Sequence, residues 1–192
     1  MERELLITGI GGQGVQLAAQ VIARAATLEG REVMYLGLYG GMMRGGNTDS
    51  TVVVGDLPIE SPPVVSHAWS ALAMHDEYWE PVEAKLRPGG LVLVNDATFT
   101  RTIDAPVTVH RVHATETAAG AGSPMGGSLV LLAAYAAATR IVSCDALVDA
   151  MRASIPSYRT QHVEANERAI RAGWELLPEN SFPFWERSTA GV

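Results

Sequence analysis

The chain has 192 residues, of which 47% are hydrophobic and 18% charged, and its formal net charge is −7 at pH 7. This composition suits one globular domain, and the acidic balance argues against nucleic-acid binding, which depends on Lys and Arg neutralising phosphates. No apolar stretch of about 18 or more residues and no basic N-terminal leader occurs, so we expect no membrane insertion and a cytoplasmic location. The single cysteine, Cys144, falls short of the roughly four thiolates that hold an iron–sulfur cluster.

Short apolar runs alternate with helical patterns along the chain. This alternation predicts an α/β fold, a three-layer α/β/α domain with a mostly parallel central sheet. The run Glu4–Thr8 precedes a cluster of glycines and a helical pattern over Val15–Leu28, which together form a Rossmann-like first βα unit. Further strands are predicted at Glu32–Leu38, Asp49–Val54, Ala71–Met74, Leu91–Asn95 and Val107–Val112, and further helices at Glu77–Leu86, Ser128–Thr139, Asp145–Arg152 and Gln161–Ala172.

The glycine turn Gly9–Gly14 (GIGGQG) lies between the first predicted strand and the first predicted helix. Glycines in this position let backbone N–H groups and a helix N-terminus approach a phosphate. A dinucleotide site also needs an acidic residue at the end of the second strand, but that strand runs through Leu38 into Tyr39 and Gly40 without one, which weakens an NAD interpretation. The Gln13 amide can bond a ligand or a neighbouring loop; the alternative is a plain tight turn with an exposed Gln13.

Two separated motifs, the glycine turn and the glycine loop Gly40–Asn47 (GGMMRGGN), together resemble the gamma subunit, or gamma domain, of the 2-oxoacid:ferredoxin oxidoreductases. Further motifs similar to those of that family follow in order: LRPGGLVLVN at Leu86–Asn95, ATE at Ala114–Glu116, and VEAN at Val163–Asn166 with Gly173. The resemblance covers about Leu5–Gly173. It implies a gamma-type α/β domain at residues 1–173, followed by a C-terminal tail at residues 174–192 that packs on the domain or on a partner subunit.

The chain departs from the family pattern in two places. Its glycine loop has Gly41 and Met42 where Pro and Glu are common, and Ser128 stands at the start of the apolar helix where the family often has Asn. The loop therefore lacks a carboxylate and some stiffness. These changes bring pyruvate and 2-oxoglutarate into question as substrates and allow a bulkier or aromatic 2-oxoacid, such as phenylglyoxylate or indolepyruvate.

The resemblance implies a subunit of a complex that oxidises a 2-oxoacid with coenzyme A to an acyl-CoA and CO2. In such complexes the alpha and beta subunits bind thiamine diphosphate with Mg²⁺, and a ferredoxin-like delta subunit carries 4Fe–4S clusters that pass electrons to ferredoxin or another acceptor. The gamma subunit is expected to contribute to the coenzyme A site and to assembly. We therefore expect no catalytic residue, no metal site and no cofactor held by this chain alone, and an inactive isolated chain.

Coenzyme A carries phosphates, and an acidic chain needs local groups that attract them. Arg44 is the first candidate, since a guanidinium pairs with phosphate through two hydrogen bonds; alternatively, Arg44 forms a salt bridge across a subunit boundary and Met43 packs there. Asn95 lies at the carboxyl end of a strand, where α/β sheets place ligands, or it caps a turn. The candidate coenzyme A residues are Gly9, Gly11, Gly12, Gln13, Gly14, Met43, Arg44, Gly45, Gly46 and Asn95.

Two other functions stay open from the residues alone. A stand-alone Rossmann-type nucleotide-binding oxidoreductase would bind NAD(P) or another nucleotide and act without partners. A pure scaffold subunit would use its glycine loops only for close subunit packing. His110 and His113 do not suggest a metal site, because a strand directs them to different faces and no further ligand pair completes the set.

Overall fold

The computed structural model describes residues 1–39, 45–60 and 64–185 of the chain. Strands and helices alternate within these ranges. The strands are β1 (Glu2–Ile10), β2 (Glu32–Tyr39), β3 (Asn47–Gly55), β4 (Ala68–Ala73), β5 (Leu86–Asn95) and β6 (Thr108–Val112). The helices are α1 (Val15–Leu28), α2 (Glu80–Glu83), α3 (Ala114–Gly120), α4 (Gly127–Thr139), α5 (Cys144–Ser154) and α6 (Val163–Trp174), and a 3-10 helix, Ser157–His162, precedes α6.

The strands form a six-stranded sheet in the order β2-β3-β1-β4-β5-β6. β1, β4, β5 and β6 pair in parallel, whereas β3 runs antiparallel to both of its neighbours, β1 and β2. This confirms the α/β class with a mostly parallel sheet. Because β1 and β3 are antiparallel, Ile10 at the end of β1 pairs with Asn47 at the start of β3. The turn after β1 and the loop before β3 therefore lie at the same edge of the sheet.

One face of the sheet carries the longer helices. α4 is buried along its whole length, as expected for a helix that is apolar on all sides. It packs against α6 so closely that a Cβ on Gly173 would lie 2.5 Å from the carbonyl oxygen of Val130. Leu5 and Ile7 of β1 join α1 and α4 in one core. Among the described residues, no helix is long and apolar enough to cross a membrane.

The opposite face of the sheet has a smaller core. Leu6 and Val92 point into it, and Trp79 and Phe99 cover them from segments outside the sheet. The rings of Trp79 and Phe99 pack edge to face, with centroids 5.2 Å apart. In the described part of the chain, this outer layer contains only the short helix α2 and irregular segments, so the third layer of the expected arrangement is thinner than a row of helices.

Most predicted elements are present within a few residues of their expected bounds, and α1 has the predicted bounds, Val15–Leu28. α2 is shorter than the helix predicted over Glu77–Leu86, because Leu86 already pairs with Ala68 in the sheet. α3 is absent from the sequence prediction, since its 7 residues are too few to display a helical period.

The segment after α6 returns along the end of α4. The backbone N–H groups of Phe182 and Phe184 donate to carbonyl oxygens in the last turn of α4, each at 2.8 Å, where helix carbonyls lack partners within the helix. Both phenyl rings pack on the Trp69 indole. Residues 186–192 lie outside the described residues, and the division of the chain after Gly173 stays a prediction.

Candidate functional site

The glycine turn after β1 has a geometry that other residues would not adopt readily. Gly12 and Gly14 have φ values of +105° and +76°, in the left-handed region that favours glycine. Gly9 has no room for a side chain, since a Cβ there would lie 2.7 Å from Gln13 Oε1. The backbone and the packing therefore require glycine at these positions, whatever the turn binds.

The glycine turn and the glycine loop meet at the edge of the sheet. The N–H group of Gly11 donates to the carbonyl oxygen of Gly46 at 2.9 Å. Gly45 has a φ of +73°, and it leads the loop into β3. Two motifs that are about 30 residues apart in the sequence thus form one surface. Met43 and Arg44 lie outside the described residues.

Gln13 uses its side chain within the chain. Its Oε1 accepts a hydrogen bond from the Ile10 N–H at 2.9 Å, and its Nε2 donates to the Met74 carbonyl oxygen at 3.2 Å. The amide therefore closes the glycine turn and connects it to the end of β4. Of the roles considered for Gln13, the geometry corresponds to bonding a neighbouring loop.

A cavity of about 680 Å³ opens beside the glycine turn. Its walls are the turn with the first residues of α1, the segment that leads into α4, and the segment from the end of α5 to α6. Gly11, Gly12 and Gly14 line it, so the structure brings these predicted site residues together. Gly9, Gln13, Gly45, Gly46 and Asn95, the other predicted site residues within the described ranges, do not line it.

Asn95 forms a closed hydrogen-bonded corner instead. It is 1% exposed, and its Nδ2 donates to Oγ1 of Thr98 and of Thr115 at 2.7 and 3.0 Å. Its Oδ1 accepts from the Thr115 backbone N–H at 3.2 Å. These bonds connect the end of β5 to the first turn of α3. The geometry of this Asn95 corner corresponds to the capping alternative rather than to a ligand contact.

The polar residues that line the cavity and that the sequence analysis did not assign to the site include Thr48, Ser128 and Asn166. They are 5%, 3% and 8% exposed. Asn166 Oδ1 accepts from the Ser123 hydroxyl at 2.6 Å. In the sequence, Asn166 matches a family motif and Ser128 departs from a family pattern, and these features could have identified both residues. No sequence feature distinguishes Thr48.

Gln16, in the first turn of α1, also lines the cavity. Its Nε2 donates to the carbonyl oxygens of Leu38 and Asp49 at 3.3 and 2.9 Å, and its Oε1 accepts from the Tyr35 hydroxyl at 2.5 Å. Gly37 is needed beneath it, because a Cβ there would lie 2.1 Å from Gln16 Oε1. The buried amide therefore attaches α1 to β2 and β3 and positions the glycine turn.

The charges at the cavity are basic. Arg159 and His162, on the 3-10 helix before α6, are the ionisable residues of the described lining, which contains no Asp or Glu. The Arg159 guanidinium lies 5.5 Å from the centroid of the exposed Tyr158 ring. An anion in this cavity would therefore meet no described carboxylate among the lining residues.

Cys144 and His113 lie outside the cavity. Burial raises the pKa of the Cys144 thiol, which keeps it protonated and poorly nucleophilic near neutral pH. His113 Nδ1 lies 3.0 Å from an Asp96 carboxylate oxygen. Within the described ranges, no group of three or more His, Cys, Asp or Glu side chains could hold a metal ion.

Comparisons with known proteins agree with one another. The family model of pyruvate ferredoxin/flavodoxin oxidoreductase matches residues 4–176. The 2-oxoglutarate synthase subunit KorC of Methanothermobacter thermautotrophicus is 32% identical over 188 residues, covering 94% of this chain and 98% of the relative. The pyruvate synthase subunit PorC of Methanothermobacter marburgensis is 28% identical over 178 residues, covering 91% of this chain and 97% of the relative.

A solved structure is similar over nearly the whole chain. The crystal structure of the gamma subunit of a keto/oxoacid ferredoxin oxidoreductase from Geobacter sulfurreducens PCA superimposes with a TM-score of 0.79 and 28% sequence identity. The match covers 92% of this chain and 96% of that chain. It therefore includes the sheet and the helices around the cavity.

Proposed function

Because the chain belongs to the pyruvate ferredoxin/flavodoxin oxidoreductase family, we propose that it is the gamma subunit of a complex that converts a 2-oxoacid and coenzyme A to an acyl-CoA, CO2 and a reduced acceptor. Family membership confirms the resemblance drawn from the motifs. The relatives include subunits of a 2-oxoglutarate synthase and of a pyruvate synthase. We therefore propose a 2-oxoacid as the class of substrate and do not choose one 2-oxoacid.

The chemistry of the proposed complex depends on partner subunits. Thiamine diphosphate with Mg²⁺, which supplies the decarboxylation chemistry when bound, would belong to the alpha and beta subunits, and 4Fe–4S clusters to a ferredoxin-like delta subunit. Ferredoxin or another acceptor would take up the electrons. The residues of this chain do not fit a cluster, since the sequence contains 1 cysteine and a cluster needs about four thiolates. We therefore propose that the isolated chain is inactive.

The part of coenzyme A that this chain would bind is its phosphate-bearing end. The observation that carries this proposal is the hydrogen bond from Gly11 to Gly46, which holds the glycine loop against the glycine turn that lines the cavity. Backbone N–H groups at the start of α1 favour an anion there. Arg44, two residues before Gly46 in the loop, would add a guanidinium that pairs with phosphate. The chain would thus bind and orient coenzyme A, and the reacting groups would come from its partners.

The test uses the native complex carrying Arg44→Ala. We expect the Michaelis constant for coenzyme A to rise about 10-fold or more, the usual effect of losing a hydrogen bond to a charged group. Decarboxylation of the 2-oxoacid in the absence of coenzyme A should stay nearly unchanged. Arg101→Ala, at an exposed arginine that does not line the cavity, is the matched control and should change neither measurement.

A different result would favour one of the other two functions. If Arg44→Ala lowers both half-reactions and the complex dissociates on gel filtration, Arg44 is an interface residue and the chain is a scaffold. If the isolated chain binds NAD(P) and turns over a substrate unaided, it is a stand-alone oxidoreductase. Hydrogen exchange adds a direct readout, because coenzyme A should protect the backbone N–H groups of residues 9–14 and 45–47 in the complex.

A further inference from the structure

Three nearly buried polar residues of the cavity each have a side-chain group that bonds nothing in the described part of the chain. Among the described residues, no group bonds the Thr48 hydroxyl, the Ser128 hydroxyl or the Asn166 Nδ2. Each of these residues is more than nine-tenths buried and lines the cavity. Polar groups in protein interiors are nearly always paired, either within the protein or with ordered water. Three such groups at one cavity are available to bond a ligand that occupies it.

The Thr48 hydroxyl, the Ser128 hydroxyl and the Asn166 Nδ2 are open to the cavity and are not fully enclosed by protein. The fully enclosed polar side-chain atoms without a partner in the described chain lie elsewhere, on Arg31, Asn47, Ser50 and Trp185. The Ser128 hydroxyl points towards the start of α1, since a Cβ on Gly14 would lie 2.6 Å from Ser128 Oγ. Thr48 lies on the face of β3 that carries Val52 and Val54, which pack in the core shared with α1. The hydroxyls therefore approach the cavity from two of its sides.

Backbone groups add further donors at the same place. α1 and α4 begin after Gly14 and Gly126, and neither helix has a side-chain cap. The first N–H groups of a helix have no partner within it and form the positive end of its dipole. Gly14 and Gly126 both line the cavity, so the uncapped ends of two long helices and the Asn166 Nδ2 all present hydrogen-bond donors to it.

The charged side chains at the cavity favour an anion as the ligand. Five arginines of the described chain have a carboxylate within ion-pair distance, namely Arg87, Arg111, Arg140, Arg152 and Arg171. Arg159 is one of the six other described arginines, which have none within the described ranges, and it lines the cavity with His162. In a chain with a net charge of −7, an unpaired arginine beside donor-rich walls without carboxylates is a local attraction for a negative group.

The size of the cavity indicates a ligand larger than a free phosphate. The volume of about 680 Å³ is typical of small-molecule sites. Apolar side chains, including Leu17, Leu129 and Ile155, also line the cavity. We infer that Thr48, Ser128 and Asn166, with Arg159, bind the phosphate groups of a phosphorylated ligand whose body occupies the apolar part. The inference rests on the proposed function only for identifying that ligand as coenzyme A.

The test is isothermal titration of the full chain with inorganic pyrophosphate, ADP and coenzyme A. Asn166→Asp is the decisive variant, because it keeps the oxygen that accepts from Ser123 and replaces the free Nδ2 donor by a carboxylate oxygen. We expect it to weaken pyrophosphate binding about 10-fold or more. The matched control is Asn180→Asp, which makes the same charge change at an exposed residue outside the cavity and should leave binding unchanged.

A second pair of variants removes charge and hydroxyl groups separately. Arg159→Gln should weaken pyrophosphate binding, whereas Arg101→Gln, at an exposed arginine outside the lining, should not. Ser128→Ala removes a hydroxyl that bonds no group in the described chain, so this variant should fold normally and still bind pyrophosphate several-fold more weakly. It keeps the test decisive if Asn166→Asp fails to fold.

The outcomes separate this inference from the proposed function. If pyrophosphate binding depends on Asn166 and coenzyme A competes for it, both stand. Competition by ADP but not by coenzyme A would keep the phosphate site and remove coenzyme A as its ligand. If coenzyme A binds and Asn166→Asp, Arg159→Gln and Ser128→Ala all bind as tightly as the wild-type chain, the inference is overturned and the proposed function remains. Failure of the wild-type chain to bind any of the three probes also overturns the inference.

Discussion

Two buried asparagines of this chain have opposite hydrogen-bonding states. The Asn95 amide bonds Thr98 and Thr115 through both of its polar atoms. The Asn166 amide bonds Ser123 through Oδ1, and its Nδ2 has no partner in the described chain. The sequence makes Asn95 the stronger candidate, because it ends a strand, yet the structure places Asn166 at the cavity. The state of hydrogen bonding therefore distinguishes an amide that is satisfied within the chain from one with a free donor, and position along the sequence does not.

The difference has a physical cause. A polar group that is buried without a partner destabilises the free protein, so it persists where a ligand or solvent bonds it. A buried group with all its bonds made inside the chain contributes to folding and has nothing left to offer a ligand. The comparison predicts that substitutions at the Asn95 corner change stability, whereas substitutions at the cavity change binding.

The largest expected effect is that of Asn95→Ala. It removes the acceptor of the Thr115 N–H and the donor to two threonine hydroxyls, and leaves buried groups unpaired. We expect a loss of about 2–4 kcal/mol in the free energy of unfolding, measured by urea denaturation of the full chain. Pyrophosphate binding by the fraction that stays folded should be unchanged. A stable variant with weakened binding would show that Asn95, despite its bonds, contributes to the ligand site.

A smaller effect is expected for Gly14→Ala, at the junction between the glycine turn and the cavity. An alanine at φ +76° loses about 1–2 kcal/mol because of its left-handed backbone, and its Cβ would also lie 2.6 Å from Ser128 Oγ. The double variant Gly14→Ala with Ser128→Gly removes that contact and keeps the backbone strain. Urea denaturation should therefore show partial recovery, after correction for Ser128→Gly alone.

The size of that recovery tests whether the Ser128 hydroxyl is held in a fixed direction. Full recovery would mean that the contact with Ser128 alone makes alanine unfavourable and that the left-handed backbone of Gly14 adds nothing. An absence of recovery would mean that Ser128 moves aside freely, in which case its hydroxyl has no fixed direction towards the start of α1. Partial recovery supports the geometry in which the Ser128 hydroxyl is held at the uncapped helix end.

The sequence predicts the parts of this fold that depend on local pattern. The apolar run of β1 and the helical period of α1 place the first βα unit, and the glycines identify the turn between them. The family resemblance adds that the turn and the glycine loop act together. The contact from Gly11 to Gly46 follows from the antiparallel pairing of β1 with β3, which no local pattern specifies.

The parts that the sequence does not predict depend on contacts between distant segments. Thr48, Ser128 and Asn166 belong to a strand and to two helices that meet only in the folded chain. Each is an ordinary polar residue in its own segment, and only its burial and its missing partner distinguish it. For the same reason the sequence could not decide between the roles of Gln13, whose partner Met74 is 61 residues away.

The smallest effect on stability is expected for Ser128→Ala. This variant tests directly whether the cavity differs from the Asn95 corner. The hydroxyl bonds no group in the described chain, and alanine has the better helix propensity, so the free energy of unfolding should change by less than about 0.5 kcal/mol. Pyrophosphate binding should nevertheless weaken several-fold. Thr139→Ala is the control, since its hydroxyl bonds the Tyr135 carbonyl oxygen in the same helix and it should lose stability without losing affinity. A Ser128 variant as destabilised as Asn95→Ala would mean that its hydroxyl is bonded within the protein, and the distinction between the two regions would then fail.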